Sequence, residues 1–226
     1  MPNHQIKSPN EPLSSPYIKL FSFPTPNNEK VTILLELLHL DYYSYQLDLF
    51  TESTEQYEEW YTKINPNGRI PAIEHVDSRG IKTTIFESAA ILQYLSDKFD
   101  KKREFSYGPD SPYYYEQQEW MLLFLTGLEP IKFKHIRELL VEAVPDKSVL
   151  EKAEKDAERY MAIFEKRLKE NGTGFLVGDH LSLADIVSYP WLGAAIVPLN
   201  GEKYPAIKAW VDAIGSIKEV KIAMGF

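Results

Sequence analysis

An α/β domain followed by an all-helical second half is the fold class this sequence predicts. Three observations carry the prediction. Strand-like and helix-like apolar periods alternate up to Phe99; the polar stretch DKKREFSYGPDSP, Asp100 to Pro112, interrupts them; and beyond it every apolar pattern has helical spacing. A length of 226 residues is enough for two domains that each bury a core.

The elements follow in order. Tyr17 to Phe23 (YIKLFSF) reads as a strand, and the helix after it places Val31, Leu34, Leu35 and Leu38 at i, i+3, i+4, i+7, the face that packs on a sheet. Tyr42 to Leu49 reads as a second strand with Tyr43, Tyr45, Leu47 and Leu49 on one side, so a right-handed β-α-β unit is expected. A short acidic helix is expected around Thr54 to Lys63. NPNGRIPAIEHV is a turn feeding a strand, DSRG a hairpin turn and IKTTIFE its partner. From Ser88 a helix runs to Phe99 with Ile91, Leu92 and Leu95 inward. This β-α-β-α-β-β-α order is that of a thioredoxin-like domain. In the second half Tyr113 to Glu142, Val149 to Lys169, Ser182 to about Val197 and Tyr204 to Ile214 carry helical spacing, which predicts an all-α helical-bundle C-terminal domain. The expected division is therefore a disordered tail over 1–16, a thioredoxin-like domain over 17–100, a linker over 101–112 and a helical domain over 113–226.

Composition narrows the function classes. The chain is 44% hydrophobic and 26% charged with a net charge of −8, which argues against a nucleic-acid partner, since phosphate backbones are held by clustered Lys and Arg. No apolar run approaches the roughly 18 residues of a membrane span. There are no cysteines, so no disulfide, thiolate metal site or protein thiol nucleophile is available. Any sulfur chemistry must use sulfur that arrives with a ligand. The first sixteen residues are polar and proline-rich and lack the apolar core of a secretory signal, so a cytoplasmic location is the default expectation. The five histidines, at 4, 39, 75, 135 and 180, show no zinc-ligand spacing, and no metal is expected.

Four stretches could carry chemistry or structure. Thr25 as N-cap with Pro26 at N1 fits a helix start, and Asn27 in that first turn has an amide that could donate to a ligand at the strand end. In NPNGRIPAI, Pro71 cannot donate to a ladder and belongs at an edge or a turn; the Ile70–Pro71 bond is open between a trans turn proline and a cis bond that turns the Ile70 backbone outward. Ser88 reads as a helix N-cap with Glu87 before it, a pair suited to an α-amino acid head, or simply to a capped helix. In GDHLSLADIVSY, Ser182 and Asp185 have capping-box spacing, with Leu181 and Ile186 as a hydrophobic staple, which accounts for both polar residues without catalysis. The aromatic run Tyr113 to Phe124 reads as packing that could also floor an apolar pocket.

TPN, NPNGRIPAI, FESAAILQYL and LSLADIVSYPWL together resemble the glutathione transferases, and within them the nu class and the fungal transferases related to the yeast nitrogen-catabolite prion regulator. The resemblance runs from about Tyr17 to the C-terminus. It implies a cytosolic homodimer with no cofactor and with glutathione as co-substrate. Thr25 and Asn27 fall on the positions that face the glutathione sulfur, Ile70 with a cis Pro71 on those that pair with its cysteinyl backbone, with Arg69 beside them, and Glu87 and Ser88 on those that hold the γ-glutamyl head. Two departures are FLTGLEP, where relatives often carry Gln and a small-residue pair, and Lys152, which stands where some members have an arginine reaching the partner subunit. The expected activity is glutathione-dependent conjugation of small hydrophobic electrophiles, or reduction of disulfides or peroxides. The alternative is a catalytically weak glutathione-binding regulatory module, against which stands a tail of only sixteen residues.

Overall fold

The computed structural model describes residues 4–49, 54–140, 146–193 and 199–225. It divides into two compact units, one of residues 1–101 with 219–226 and the other of residues 102–218.

The first unit is a five-stranded mixed sheet of order β1-β3-β2-β4-β5, formed by His4–Ile6 (β1), Tyr17–Ser22 (β2), Tyr43–Gln46 (β3), Ala72–Val76 (β4) and Lys82–Phe86 (β5). β2 and β3 run parallel, joined through helix Pro26–Leu37 (α1), while β4 is antiparallel to both β2 and β5. Alternation sorts the side chains. Phe21, Tyr45, Leu47 and Ala72 join Tyr61 of the short helix Glu59–Thr62 (α2) in one cluster, as the period of two in the second expected strand requires. The expected acidic helix is split into a 3₁₀ turn, Glu55–Tyr57, and α2. Helix Ser88–Phe99 (α3) packs beside α1 and buries Ile91, Leu92 and Leu95. α1 is buried on more than the expected face, Lys30 and Glu36 included, and Leu37 rather than Leu38 is its last inward apolar residue.

The reading of residues 1–16 as a disordered tail is corrected over the part described. His4–Ile6 pairs in parallel with β3, and the segment behind it is tied down by Lys19 Nζ donating to Pro9 O at 2.8 Å. Ile6 is buried and Leu13 packs on the same aromatic cluster. Two apolar residues in a polar, proline-rich stretch were too sparse to show a period, yet they suffice where a sheet edge is already formed. Lys19 itself is buried in mid-strand because Glu74 lies 3.5 Å away and also accepts the Tyr17 hydroxyl at 2.7 Å.

The second unit is all-helical: Tyr114–Leu123 (α4), a π-turn at Phe124–Leu128, Glu129–Leu140 (α5), Lys147–Asn171 (α6), Leu183–Gly193 (α7) and Pro205–Ser216 (α8); the following helix, Lys218–Met224 (α9), falls almost wholly in the first unit. The expected reach of the first of these helices to Glu142 and of the third to Val197 lies outside the described residues. Within FLTGLEP, FLTGL forms the π-turn and the last two residues begin α5; a Cβ on Gly127 would lie 2.3 Å from the Tyr160 ring, so only glycine lets the two helices approach. The expected 101–112 linker is not a free tether: Tyr107 is buried, its N–H donates to Gln117 Oε1 at 3.1 Å, and its hydroxyl reaches Val177 O at 3.3 Å. The aromatic run divides by helical period into buried Gln117, Met121 and Phe124 and exposed Tyr115 and Leu122.

The Asp185 half of the expected capping box is present with a wider role, while the Ser182 hydroxyl donates to Asp185 and the Asp185 N–H goes to the Ser182 carbonyl. Asp185 Oδ2 accepts the Ser182 N–H at 3.0 Å and the Ser182 hydroxyl at 2.9 Å, while Oδ1 accepts Leu176 N–H at 2.8 Å and Trp210 Nε1 at 2.9 Å. Burial raises its pKa while these donors oppose the rise. Asp185→Ala would orphan several buried donors at once and should destabilise the protein by roughly 3 to 5 kcal/mol in denaturant unfolding, with Asp185→Asn losing less.

Candidate glutathione site

Sheet register decides where the candidate residues meet. β2 pairs with β4 so that Phe21 faces Ala72, and β4 with β5 so that Ala72 faces Phe86. One step further along the same ladders, Ser22, Pro71 and Glu87 come to the same end of the sheet. The turn after β2 carries Thr25 and Asn27, the turn before β4 carries Arg69 and Ile70, and α3 starts at Ser88. All seven sequence-predicted residues therefore gather at one sheet end within the first unit.

Each segment is fixed by its own local chemistry. Thr25 is extended, φ −149° and ψ 154°, and its Oγ1 accepts the Asn28 N–H at 3.3 Å. That bond uses a lone pair of the hydroxyl and leaves the O–H able to donate. Asn27, at the second helical position, is half-buried. Ser22, one strand position from Pro71, is committed elsewhere: its buried hydroxyl donates to Tyr45 O at 3.2 Å and shares a 2.9 Å bond with Ser44 Oγ.

The NPNG turn is closed by Asn65, whose Oδ1 accepts the Asn67 N–H at 3.0 Å and whose carbonyl accepts the Gly68 N–H at 3.0 Å. Gly68 has φ +61°, and a Cβ there would lie 2.8 Å from the Gln56 carbonyl oxygen. Asn65 Nδ2 and the Tyr61 hydroxyl then both donate to the Arg69 carbonyl, at 2.7 and 2.6 Å. The Ile70–Pro71 bond that follows is cis, Pro71 is buried, and the ladder begins only at Ala72, so the Ile70 N–H and C=O stand outside it. Tyr61 and Asn65 are positioning residues that the sequence reading did not single out. Asn65 was read only as turn chemistry, and nothing local links Tyr61 to residue 69.

At α3 the assignment of Ser88 as N-cap is corrected. Glu87 is the N-cap residue, exposed and held at φ +69°, ψ 118°, while Ser88 is the first helical residue and is buried. Glu87 makes no side-chain cap bond, so the first N–H groups of α3 have no side-chain acceptor from the cap position and the positive end of the helix is open to an anion. A non-glycine residue at positive φ is strained by about 1 to 3 kcal/mol.

Residues 16–97 match the family described as glutathione S-transferase, N-terminal domain, and residues 116–217 match glutathione S-transferase, C-terminal domain. A disulfide-bond oxidoreductase of Escherichia coli K12, YfcG, is 30% identical over 209 residues, covering 88% of this chain and 90% of the relative. The chain belongs to the glutathione S-transferase family. Among solved structures, a glutathione transferase homolog from Lodderomyces elongisporus with two glutathione molecules per subunit is 30% identical at TM-score 0.83, covering 92% of this chain and 98% of that one. The glutathione transferase URE2P8 of Phanerochaete chrysosporium with oxidized glutathione is 28% identical at TM-score 0.84, covering 94% and 95%. The thioredoxin-like and helical units are thus those of a glutathione S-transferase, and these two solved relatives hold glutathione and oxidized glutathione.

The strain at Glu87 gives a direct test. Glycine normally costs stability relative to alanine, but at this positive φ the order should invert: Glu87→Gly should be more stable than Glu87→Ala by about 1 kcal/mol in urea unfolding. Gly68→Ala should destabilise by more than that, because backbone strain and the Gln56 carbonyl both oppose it.

Proposed function

We propose that the protein binds glutathione at this sheet end, stabilises its thiolate with Thr25 and Asn27, and uses it to reduce disulfides or peroxides or to conjugate small electrophiles. The observation that carries the reading is the meeting of three features at one end of the sheet: an uncapped α3 N-terminus beside strained Glu87, an Ile70 backbone outside the ladder, and the Thr25–Asn27 turn. The α3 N–H groups and Ser88 suit the glutamyl carboxylate, and Glu87 suits its ammonium. Ile70 suits backbone pairing with the cysteinyl residue, which brings the sulfur to the start of α1. Arg69 is exposed beside this path and suits the glycyl carboxylate end.

The thiol needs help to react. A free thiol has a pKa near 8.5, and lowering it by about two units takes roughly 2.7 kcal/mol of preference for the thiolate. A helix N-terminus supplies about 0.3 to 1 kcal/mol, up to about 2 when partly buried. One or two donors to the charged sulfur, about 1.5 kcal/mol each at the lower end, close the gap. Thr25 has a hydroxyl hydrogen to give, Asn27 an amide, and neither titrates. With no cysteine in the chain, every sulfur comes from ligands. In the disulfide reaction the thiolate attacks the glutathionyl sulfur of a glutathionylated disulfide, the S–S bond breaks, the other sulfur leaves as a thiolate and takes a proton, and oxidized glutathione is formed. The names of the relatives, disulfide-bond oxidoreductases YfcG and YghU, and a solved relative holding oxidized glutathione favour this branch. A purely regulatory module draws only on fold similarity to Ure2p at 23% identity. A homodimer, a cytoplasmic location and a detoxifying role complete the proposal.

Turnover with glutathione and one glutathionylated disulfide, one hydroperoxide and one haloarene tests the function; inactivity toward all three would leave the regulatory reading. Asn27→Ala should cut turnover at least tenfold with a smaller loss of glutathione affinity and a raised thiol pKa in the pH–rate profile, Thr25→Ala should do the same more weakly, and Ser22→Ala should do little. Ser88→Ala should weaken glutathione binding by roughly 1 to 3 kcal/mol in calorimetry. Light scattering should give twice the 26.1 kDa chain mass at micromolar concentration.

A further inference from the structure

A cavity of about 360 Å³ opens within the first unit on the flank of α1 that meets α9, where Thr32 Oγ1 lies 3.5 Å from Ala223 O. None of the residues assigned to glutathione lines it. Its α1 wall is a single stripe, Glu29, Thr32 and Glu36 at i, i+3 and i+7, with Asn28 at its upper end; the facing wall is the apolar edge of α9 at Ile222 and Met224. The volume is that of a small-ligand pocket rather than of one water.

The polar inventory of this cavity is lopsided. Asn28 is nine-tenths buried and its Oδ1 has no hydrogen-bond partner, and neither has the buried Glu29 Oε2. Buried acceptors without donors are costly and uncommon in native proteins. Among the described residues that line the cavity there are two carboxylates and no Lys, Arg or His. A positively charged group with several N–H donors would satisfy both orphan acceptors. Among the described residues no cluster of three His, Asp or Glu side chains offers a metal-ligand set.

We propose that this cavity is a binding site for a small primary alkylammonium, whose NH₃⁺ donates to Asn28 Oδ1 and Glu29 Oε2 and whose chain lies on Ile222 and Met224. Three donors on one nitrogen match two orphan acceptors and a hydroxyl better than any neutral group of that size. Burial pushes the Glu29 carboxyl up to about 7. The other titratable groups on the wall are Glu36 and Tyr42, whose hydroxyl donates to Glu36 Oε1 at 3.0 Å; burial first, then Glu36, raise the pKa of that tyrosine, so it stays neutral. β1, β2 and α9 bring no charged side chain to the wall. An alkylammonium keeps its charge to about pH 10 and pairs with the ionised form of Glu29, so its affinity should rise about tenfold from about pH 6 to about pH 8, as the ionised fraction climbs from about a tenth to about nine tenths.

Calorimetric titration of the full chain with n-propylammonium chloride tests the site, alongside tetramethylammonium chloride, which has the charge without N–H donors, and magnesium chloride. The expected result is saturable one-to-one binding of propylammonium alone, about tenfold weaker at pH 6 than at pH 8, and weakened at least tenfold with the pH dependence gone in Glu29→Gln. Absence of propylammonium binding, equal binding of tetramethylammonium or magnesium, or an unchanged Glu29→Gln affinity would overturn it. Should Glu29→Gln fail to fold, the wild-type pH series and Thr32→Val, which removes the hydroxyl at the middle of the stripe and should weaken binding, decide the same question.

Discussion

The antiparallel pairing of β4 with both β2 and β5 is the constraint on which the site depends. Parallel neighbours would send the chain to opposite ends of the sheet after each strand. With β4 reversed, the exit from β2, the entry to β4 and the exit from β5 share one end, and the register from Phe21 through Ala72 to Phe86 sets them in line. A slip of one residue along either ladder would turn Ala72 and Phe21 out of the aromatic cluster, so the burial of that face specifies the site geometry as a by-product.

Around that frame the chain leaves a strained residue, a helix start without a side-chain cap and a backbone segment outside the ladder at the same place. α3 has no side-chain cap, Glu87 sits at positive φ, and the Ile70 backbone lies outside the ladder. Each would be easy to remedy with a glycine or a better cap residue. Their coincidence at one sheet end, while the Asp185 carboxylate satisfies the Ser182 N–H and hydroxyl at the start of α7, is what supports reading that end as a candidate binding surface.

Periodicity made the fold legible. Strands and helices with a single buried face, such as Ile91, Leu92 and Leu95 of α3, declare themselves by spacing, and the hairpin declared itself by DSRG. β1 did not, because its burial rests on Ile6 and a distant Leu13 and depends on an edge made by β3. The buried turn of the expected linker escaped for a similar reason: Tyr107 is held by partners as far away as Val177. At the site, residue types were visible but roles were not all local. Glu87 takes the cap position from Ser88 through a backbone dihedral that no residue pattern announces, and Tyr61 and Asn65 act on residue 69 only once the NPNG turn has closed. Ser22 illustrates the converse, a hydroxyl at the same sheet end that the neighbouring strand has already used.

The first turn of α1 faces two environments at once. Thr25 and Asn27 lie at the sheet end, and Asn28 and Glu29 line the cavity toward α9. An acid in a first helical turn is ordinarily favoured as the anion by the helix dipole, yet burial outweighs that preference at Glu29 and holds its carboxyl near neutral pH. The sign matters for the sulfur chemistry. An ionised Glu29 without a counter-charge would compete for the same positive helix end that the thiolate proposed at Thr25 and Asn27 would need, and would raise the thiol pKa. A protonated Glu29, or an ionised one paired with an ammonium, adds no net negative charge. In either state the dipole of α1 remains available to the sulfur.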